Sequence, residues 1–285
     1  MAYERRVDRD HPACFVFLVD QSYSMNEAAA GAPGKSKAQA LAQAVNDLIF
    51  ELVVRSLKDA NQDPRHYYDI AVIGYGKSVG PAWGGNLAGR ELVPIPDIAK
   101  HPVRVEHQPD GTRFPVWFDP TADGPTPMSS AIDAAGKVVA AWVQDHPHSF
   151  SPVVVNISDG AATDGDPREW AQRLVSLSTS DGNVLLFNLN FSSVGGQQLW
   201  FPDSFPQVGG DYAATMFEMS SVLPGFMQEL AAMEGHQVSG GSRGFVFNAD
   251  LTSIVNFLQI GTSTQHMGGD TMTAPRPSGG DTMGA

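Results

Sequence analysis

Apolar residues follow two rhythms along this chain. The run Ala13-Cys-Phe-Val-Phe-Leu-Val19 is short, continuous and rich in β-branched and aromatic residues, and it stops at Asp20. Unbroken apolarity of that length predicts a strand covered on both faces, as in a parallel sheet. From about Ser36 the period lengthens. Ala38, Leu41, Ala42, Val45, Leu48, Ile49, Leu52 and Val53 fall at helical spacing and predict an amphipathic helix ending near Leu57. Asp69–Tyr75 reads as a second strand, closed by Gly74 and Gly76.

Residues 77–125 break the pattern. They are rich in Gly and Pro, with two β-like pieces at Glu91–Ile95 and Phe114–Phe118 and no helix. So long a stretch without a helix predicts a functional rim. The alternation then resumes. Met128–Val143 is helical, with Ile132, Ala135, Val138, Val139 and Trp142 on one stripe. Pro152–Ser158 is a buried strand ending at Asp159, and Pro167 opens a helix through about Leu177, placed where its missing N–H costs nothing. Asn183–Asn190 is a further strand, Met216–Leu223 and Pro224–Met233 read as helices, and Phe245–Phe247 and Leu251–Leu258 as a last strand and helix. This order predicts a Rossmann-like, doubly wound α/β domain with helices on both faces of a mostly parallel sheet. It spans 13–260, after a short extension over 1–12. Residues 261–285 are polar and repeat Gly-Gly-Asp-Thr-Met at 268–272 and 279–283, which predicts a disordered tail.

Composition narrows the function. The 285 residues carry 18 Lys and Arg against 31 Asp and Glu, a formal charge of −13. A protein that tracks duplex nucleic acid needs a basic face, and so does one held on anionic lipid by charge; neither fits. A single cysteine, Cys14, excludes an internal disulfide framework and a cysteine zinc cage. No apolar run approaches the ~20 residues that span a bilayer. The first residues lack the apolar core of a secretion signal, so the expected location is cytoplasmic.

Three oxygen-rich pieces sit at strand or helix ends. Asp20-Gln-Ser22-Tyr-Ser24 follows the first strand, Thr126 precedes the helix at Met128, and Asp159-Gly160 follows the strand Pro152–Ser158. Ligands of open parallel sheets bind beyond the carboxyl ends of strands where strand order reverses. If the strands from Ala13 and Pro152 flank that reversal, Asp20 and Asp159 face each other there. Hydroxyls and carboxylates without Cys or His suit a hard divalent cation, Mg²⁺ first and Mn²⁺ or Ca²⁺ as substitutes.

Asp-x-Ser-x-Ser, a separate Thr and a later Asp-Gly, in that order, resemble the metal-ion-dependent adhesion site (MIDAS) of von Willebrand factor type A domains. The resemblance covers roughly residues 13–260. It implies that Ser22 and Ser24 ligate the metal directly, that Thr126 does so in a ligand-ready state, and that Asp20 and Asp159 act mainly through water. It also implies a non-enzymatic module in which a partner's Asp or Glu completes the metal shell. Within the family the chain looks more like bacterial cytoplasmic tellurium-resistance-type (TerY-like) members, which are associated with stress response and commonly linked with a protein kinase and a PP2C-type phosphatase. Two departures stand out: the family often has Gly between the two serines, where this chain has Tyr23, and the stretch Asn26–Lys35 is longer and richer in Ala and Gly than a minimal metal loop.

Other motifs read as structure. Gly34-Lys35-Ser36 suggests a phosphate loop, but the spacing would require Gly at Ala29 and the strand ends well upstream. Ser36 reads instead as a helix cap. Gly74–Gly80 precedes no helix and reads as a turn. His146 and His148 read as a solvated loop, Cys14 as a core residue, and Asp164 and Asp166 as turn formers that favour the helix at Pro167. Thr271 and Thr282 read as parts of a flexible end rather than phosphoacceptors. The competing functions are a nucleotide hydrolase using Lys35 and Ser36, a metal-assisted phosphohydrolase, and a surface adhesin with the same metal site.

Overall fold

The computed structural model describes residues 2–59, 62–107, 113–191, 196–205 and 210–263. The expected tail and its repeats therefore lie outside the described residues from 264 onward.

Strand β1 (Ala13–Asp20) is buried at every position. Its side chains alternate between two cores: Phe15, Phe17 and Val19 enter one, Cys14, Val16 and Leu18 the other. That two-sided burial is why the sequence is apolar without interruption. A single 3₁₀ turn (Tyr23–Asn26) follows, and then α1 (Lys37–Arg55). Ser36 caps α1 in a capping box: its hydroxyl accepts from Gln39 N at 3.3 Å while Gln39 Oε1 accepts from Ser36 N at 2.9 Å. Strand β2 (Tyr68–Tyr75) runs parallel to β1, and β3 (Val79–Pro81) turns back antiparallel on its far side, so Gly74–Gly80 forms a turn as expected.

The stretch 77–125 departs from expectation. It contains a helix, α2 (Ile95–Lys100), after the short strand β4 (Val93–Pro94), and a hairpin of β5 (Arg104–His107) and β6 (Arg113–Val116). It is packed into the α1 side of the core rather than serving only as a rim. Trp117 and Phe118 are buried, Trp117 Nε1 donates to Ile98 O at 2.6 Å, and Asn46 of α1 accepts from Trp117 N at 2.8 Å and donates to Phe118 O at 3.1 Å.

Next come α3 (Met128–Asp145), β7 (Val153–Ser158) and α4 (Arg168–Ser176). All five residues of the expected α3 stripe are buried. A two-residue ribbon, β8 (Ser178–Thr179) with β9 (Gly182–Asn183), takes the residues expected to begin the next strand, which is β10 (Leu185–Phe191). The edge strand β11 (Leu199–Trp200) precedes α5 (Gly210–Met219), which lies earlier than expected, then α6 (Gly225–Met233), β12 (Phe245–Ala249) and α7 (Leu251–Gly261).

The strand order is β11-β12-β10-β7-β1-β2-β3, with β4 also on β2. Neighbours from β12 to β2 are parallel, while β3, β4 and β11 pair antiparallel. One face is covered by α1, α2, α6 and α7, the other by α3, α4 and α5. The architecture is the doubly wound, mostly parallel α/β sheet. The chain places β2 on one side of β1 and, after its crossover, β7 on the other. Strand order reverses at β1, and the crevice there opens beyond the ends of β1 and β7.

Candidate metal centre

Parallel register brings the two acidic strand ends together. Val19 lies opposite Ile157, so Asp20 and Ser158–Asp159 leave the sheet side by side. Ser158 Oγ donates to Asp20 Oδ2 at 2.5 Å, and Asp20 Oδ1 accepts from Ser22 N at 2.8 Å. Asp20 and Ser158 are fully buried. Burial pushes the Asp20 carboxyl up to about 6, against the hydrogen bonds from Ser158 and Ser22 and with the charge of Asp159 adding to the rise.

The hydroxyls lie beside these acids. Ser22 Oγ and Ser24 Oγ are 3.0 Å apart, and Ser24 Oγ donates to Asp159 Oδ1 at 2.7 Å. The 3₁₀ turn Tyr23–Asn26 has Ser22 as its N-cap; Ser22 is buried and Ser24 half-buried. Tyr23 is not among the residues at positive φ, so its place between the two serines is unstrained. Its ring is 66% exposed at the rim. Asp123 raises the Tyr23 phenol by hydrogen bonding and by its charge.

Thr126 reaches the site on a loop stitched to the first one. Tyr23 N donates to Gly124 O at 2.9 Å and Asp123 N to Gln21 O at 2.7 Å. Thr126 exchanges hydrogen bonds with Thr163, N to Oγ1 at 3.0 Å and O from Thr163 N at 2.9 Å. Among the described residues its hydroxyl is not bonded to the other four. Four of the five expected residues thus form one hydrogen-bonded group, and the fifth stands on an adjoining loop, held by its backbone.

Two members carry no signal in the motif. Ser158 anchors Asp20. Lys37, the first residue of α1, places its ammonium 2.7 Å from Asp159 Oδ2 and 2.8 Å from Glu27 Oε2. The Lys37 and Asp159 side chains are 4% and 1% exposed. Burial alone would lower Lys37; hydrogen bonds and charge from Asp159 and Glu27 outweigh it and raise it.

Beneath the site a polar relay crosses the sheet. Tyr75 OH donates to Asn156 Oδ1 (2.7 Å), Asn156 Nδ2 to Asn188 Oδ1 (3.0 Å), Asn188 Nδ2 to Ser220 Oγ (3.0 Å) and Ser220 Oγ to Met216 O (2.8 Å). All four side chains are buried. The relay ties β2, β7 and β10 together where their ends form the crevice.

The donor set fits a hard dication. Adjacent corners of an octahedron with bonds of about 2.1 Å lie about 3 Å apart, which is the Ser22–Ser24 spacing. A hydroxyl can keep its proton on a carboxylate while offering a lone pair to the metal, as the Ser24–Asp159 bond permits. Among the described residues no group of three or more His, Cys, Asp or Glu competes as a metal site.

The remaining candidates have ordinary partners. The Lys35 ammonium meets Gln43 Oε1, and the Ser36 hydroxyl is engaged in its cap. His146 stacks on Trp142, and His148 Nδ1 lies 3.2 Å from Ser180 Oγ. Cys14 is buried, which pushes its thiol well up. Asp166 accepts from Arg168 N at the start of α4, whereas Asp164 caps α3 instead, accepting from Ser129 N (3.0 Å) and Ser130 N (2.8 Å). Thr271 and Thr282 lie outside the described residues. Among the described residues no helix is long and apolar enough to cross a membrane.

No protein-family model and no curated protein sequence matches the chain. Several solved structures are similar. Manganese-loaded TRAP protein of Plasmodium vivax is 15% identical over 90% of this chain and 74% of that one, with a TM-score of 0.44. Proximal thread matrix protein 1 from the mussel byssus, with a zinc-occupied MIDAS motif, is 17% identical over 65% of this chain at a TM-score of 0.36. The type V pili tip protein Mfa5 from Porphyromonas gingivalis is 12% identical over 56% of this chain at 0.33. The chain spans about a third of the mussel protein (37%) and a fifth of the Mfa5 domains (21%).

Proposed function

We propose that this chain is a metal-dependent protein-interaction module of the von Willebrand factor type A kind. In this reading Ser22, Ser24 and Thr126 hold Mg²⁺ (or Mn²⁺ or Ca²⁺) directly, with Asp20 and Asp159 behind them, and a partner's Asp or Glu takes the remaining position. The observation that carries it is the hydroxyl pair, 3.0 Å apart and hydrogen-bonded to the buried Asp159 at the point where strand order reverses. Neutral hydroxyl ligands leave a dication electrophilic, so it attracts a further carboxylate.

The metal also answers an electrostatic difficulty. At a formal charge of −13 the protein repels an acidic partner, and a dication at the crevice supplies the local attraction that the side chains do not. Flanking residues of the partner would find a recess of about 260 Å³ beside Gly160, lined by Met128, Ala162, Pro167, Tyr212 and Met216. A cytoplasmic stress-response or phospho-signalling complex with a protein kinase and a PP2C-type phosphatase is the setting we propose, resting on the TerY-like resemblance alone.

The test is capture of partner proteins by the full chain in Mg²⁺ and in chelator, using wild type and Thr126→Ala. The reading expects a bound set that is lost in chelator and reduced by the substitution. An identical set under all conditions overturns it.

A further inference from the structure

Lys37 stands where elementary helix physics disfavours it. It is the first residue of α1, where the helix dipole presents positive potential, and its side chain is 4% exposed. Lysine is almost never buried to this degree unless paired. Here its ammonium bridges Asp159, whose side chain is 1% exposed, and Glu27, whose side chain is 59% exposed and screened by water.

Both oxygens of Asp159 are thereby in use, Oδ1 by Ser24 and Oδ2 by Lys37. The buried charges at the centre are Asp20, Asp159 and Lys37, with a formal sum of −1 rather than −2. A centre whose hydroxyls (Ser22, Ser24 and Thr126) are neutral and whose charges sum to −1 is a weak trap for a dication; one more carboxylate from outside makes up the deficit.

We propose that Lys37 is the resident counter-ion of this centre: its ammonium holds Asp159 in place when no dication is bound and opposes the dication's entry, so that tight metal binding requires the partner's acid. The proposal rests on the metal-binding reading above. It gives the module a built-in coupling, since metal and acidic partner each raise the other's affinity by the same factor.

A simple anchor and an opposing charge differ in the sign of one measurement. Titrate Mn²⁺ into the full chain by calorimetry for wild type, Lys37→Met and Lys37→Arg, and record melting of each in chelator. Lys37→Gln provides a second charge-removing variant in case Met fails to fold. The proposal expects Lys37→Met to bind Mn²⁺ about tenfold or more tightly than wild type, because a unit charge beside a dication in a partly buried site is worth at least that much. The same variant melts lower in chelator, and Lys37→Arg keeps the wild-type affinity. Weaker or unchanged Mn²⁺ binding by both charge-removing variants, with wild type binding normally, overturns the role given to Lys37 and leaves the metal site standing. Absence of Mn²⁺ binding in every variant overturns the metal-binding reading itself, and this proposal with it.

Discussion

Replacing Asn156 by leucine tests whether the relay under the crevice holds the strand ends in register. The substitution keeps the volume and, besides a weak contact from Nδ2 to Met128 Sδ at 3.6 Å, strands two oxygen groups at once. Tyr75 OH loses its acceptor at 2.7 Å, and Asn188 Oδ1 loses its donor at 3.0 Å. Each buried polar group left unpaired costs about 1–3 kcal/mol. Tyr75 OH has a second acceptor, Ile157 O, at 3.4 Å, and this recovers part of its loss. The expected destabilisation is therefore about 3 kcal/mol, a large fraction of the roughly 5–15 kcal/mol that holds a domain together. Adding Tyr75→Phe removes the stranded hydroxyl, so the double variant should be more stable than the sum of the two single effects by about 1 kcal/mol. Urea denaturation followed by circular dichroism measures both quantities, provided the slope is the same for all variants. A cost for Asn156→Leu below about 0.5 kcal/mol, or strictly additive effects in the double variant, would refute the reasoning.

Two further expectations follow from particular positions. Gly124 has φ +96°, and a Cβ there would lie 2.4 Å from Lys77 N, so Gly124→Ala should cost about 1–3 kcal/mol and weaken Mn²⁺ binding by moving the Thr126 loop; an unchanged melting temperature contradicts this. Burial pushes the Asp47 carboxyl up to about 6 despite Lys35 and Gln43, so its ionisation opposes folding above that pH. Asp47→Asn should therefore stabilise the protein at pH 7.5 by about 1 kcal/mol, discounted for partial exposure, with the gain fading as pH falls from 6 towards 4; melting curves across that range that show a constant difference would contradict it.

The sequence makes the central strands legible for a physical reason. Ala13–Asp20 faces two cores, so every position is apolar, and α1 announces itself through its stripe and its Ser36 cap. The segment 77–125 is opaque because it is held by remote contacts. The helix Ile95–Lys100 is too short to show a period, and Trp117 gains its place from Asn46, 71 residues away. For α5 the apolar cluster Met216, Phe217 and Met219 marks the last turn rather than the start. At the site, Asp20, Ser22, Ser24 and Asp159 were expected together and are joined by hydrogen bonds, directly or through the Ser22 backbone. The Thr126 hydroxyl is not bonded to them. Ser158 and Lys37 lie outside any motif. Their roles arise only when β7 pairs with β1 and α1 begins beside them, although a lysine opening a helix against its dipole was a usable warning.

The central claim is that hydroxyls and carboxylates from separate loops hold one hard dication. Its most direct test is calorimetric titration of Mg²⁺ and Mn²⁺ into wild type and into the double substitution Ser22→Ala/Ser24→Ala, with circular dichroism confirming that both are folded. The account predicts one saturable site in wild type that is lost in the double variant. Equal binding by the two proteins, or none by either wild type or Lys37→Met, would contradict it.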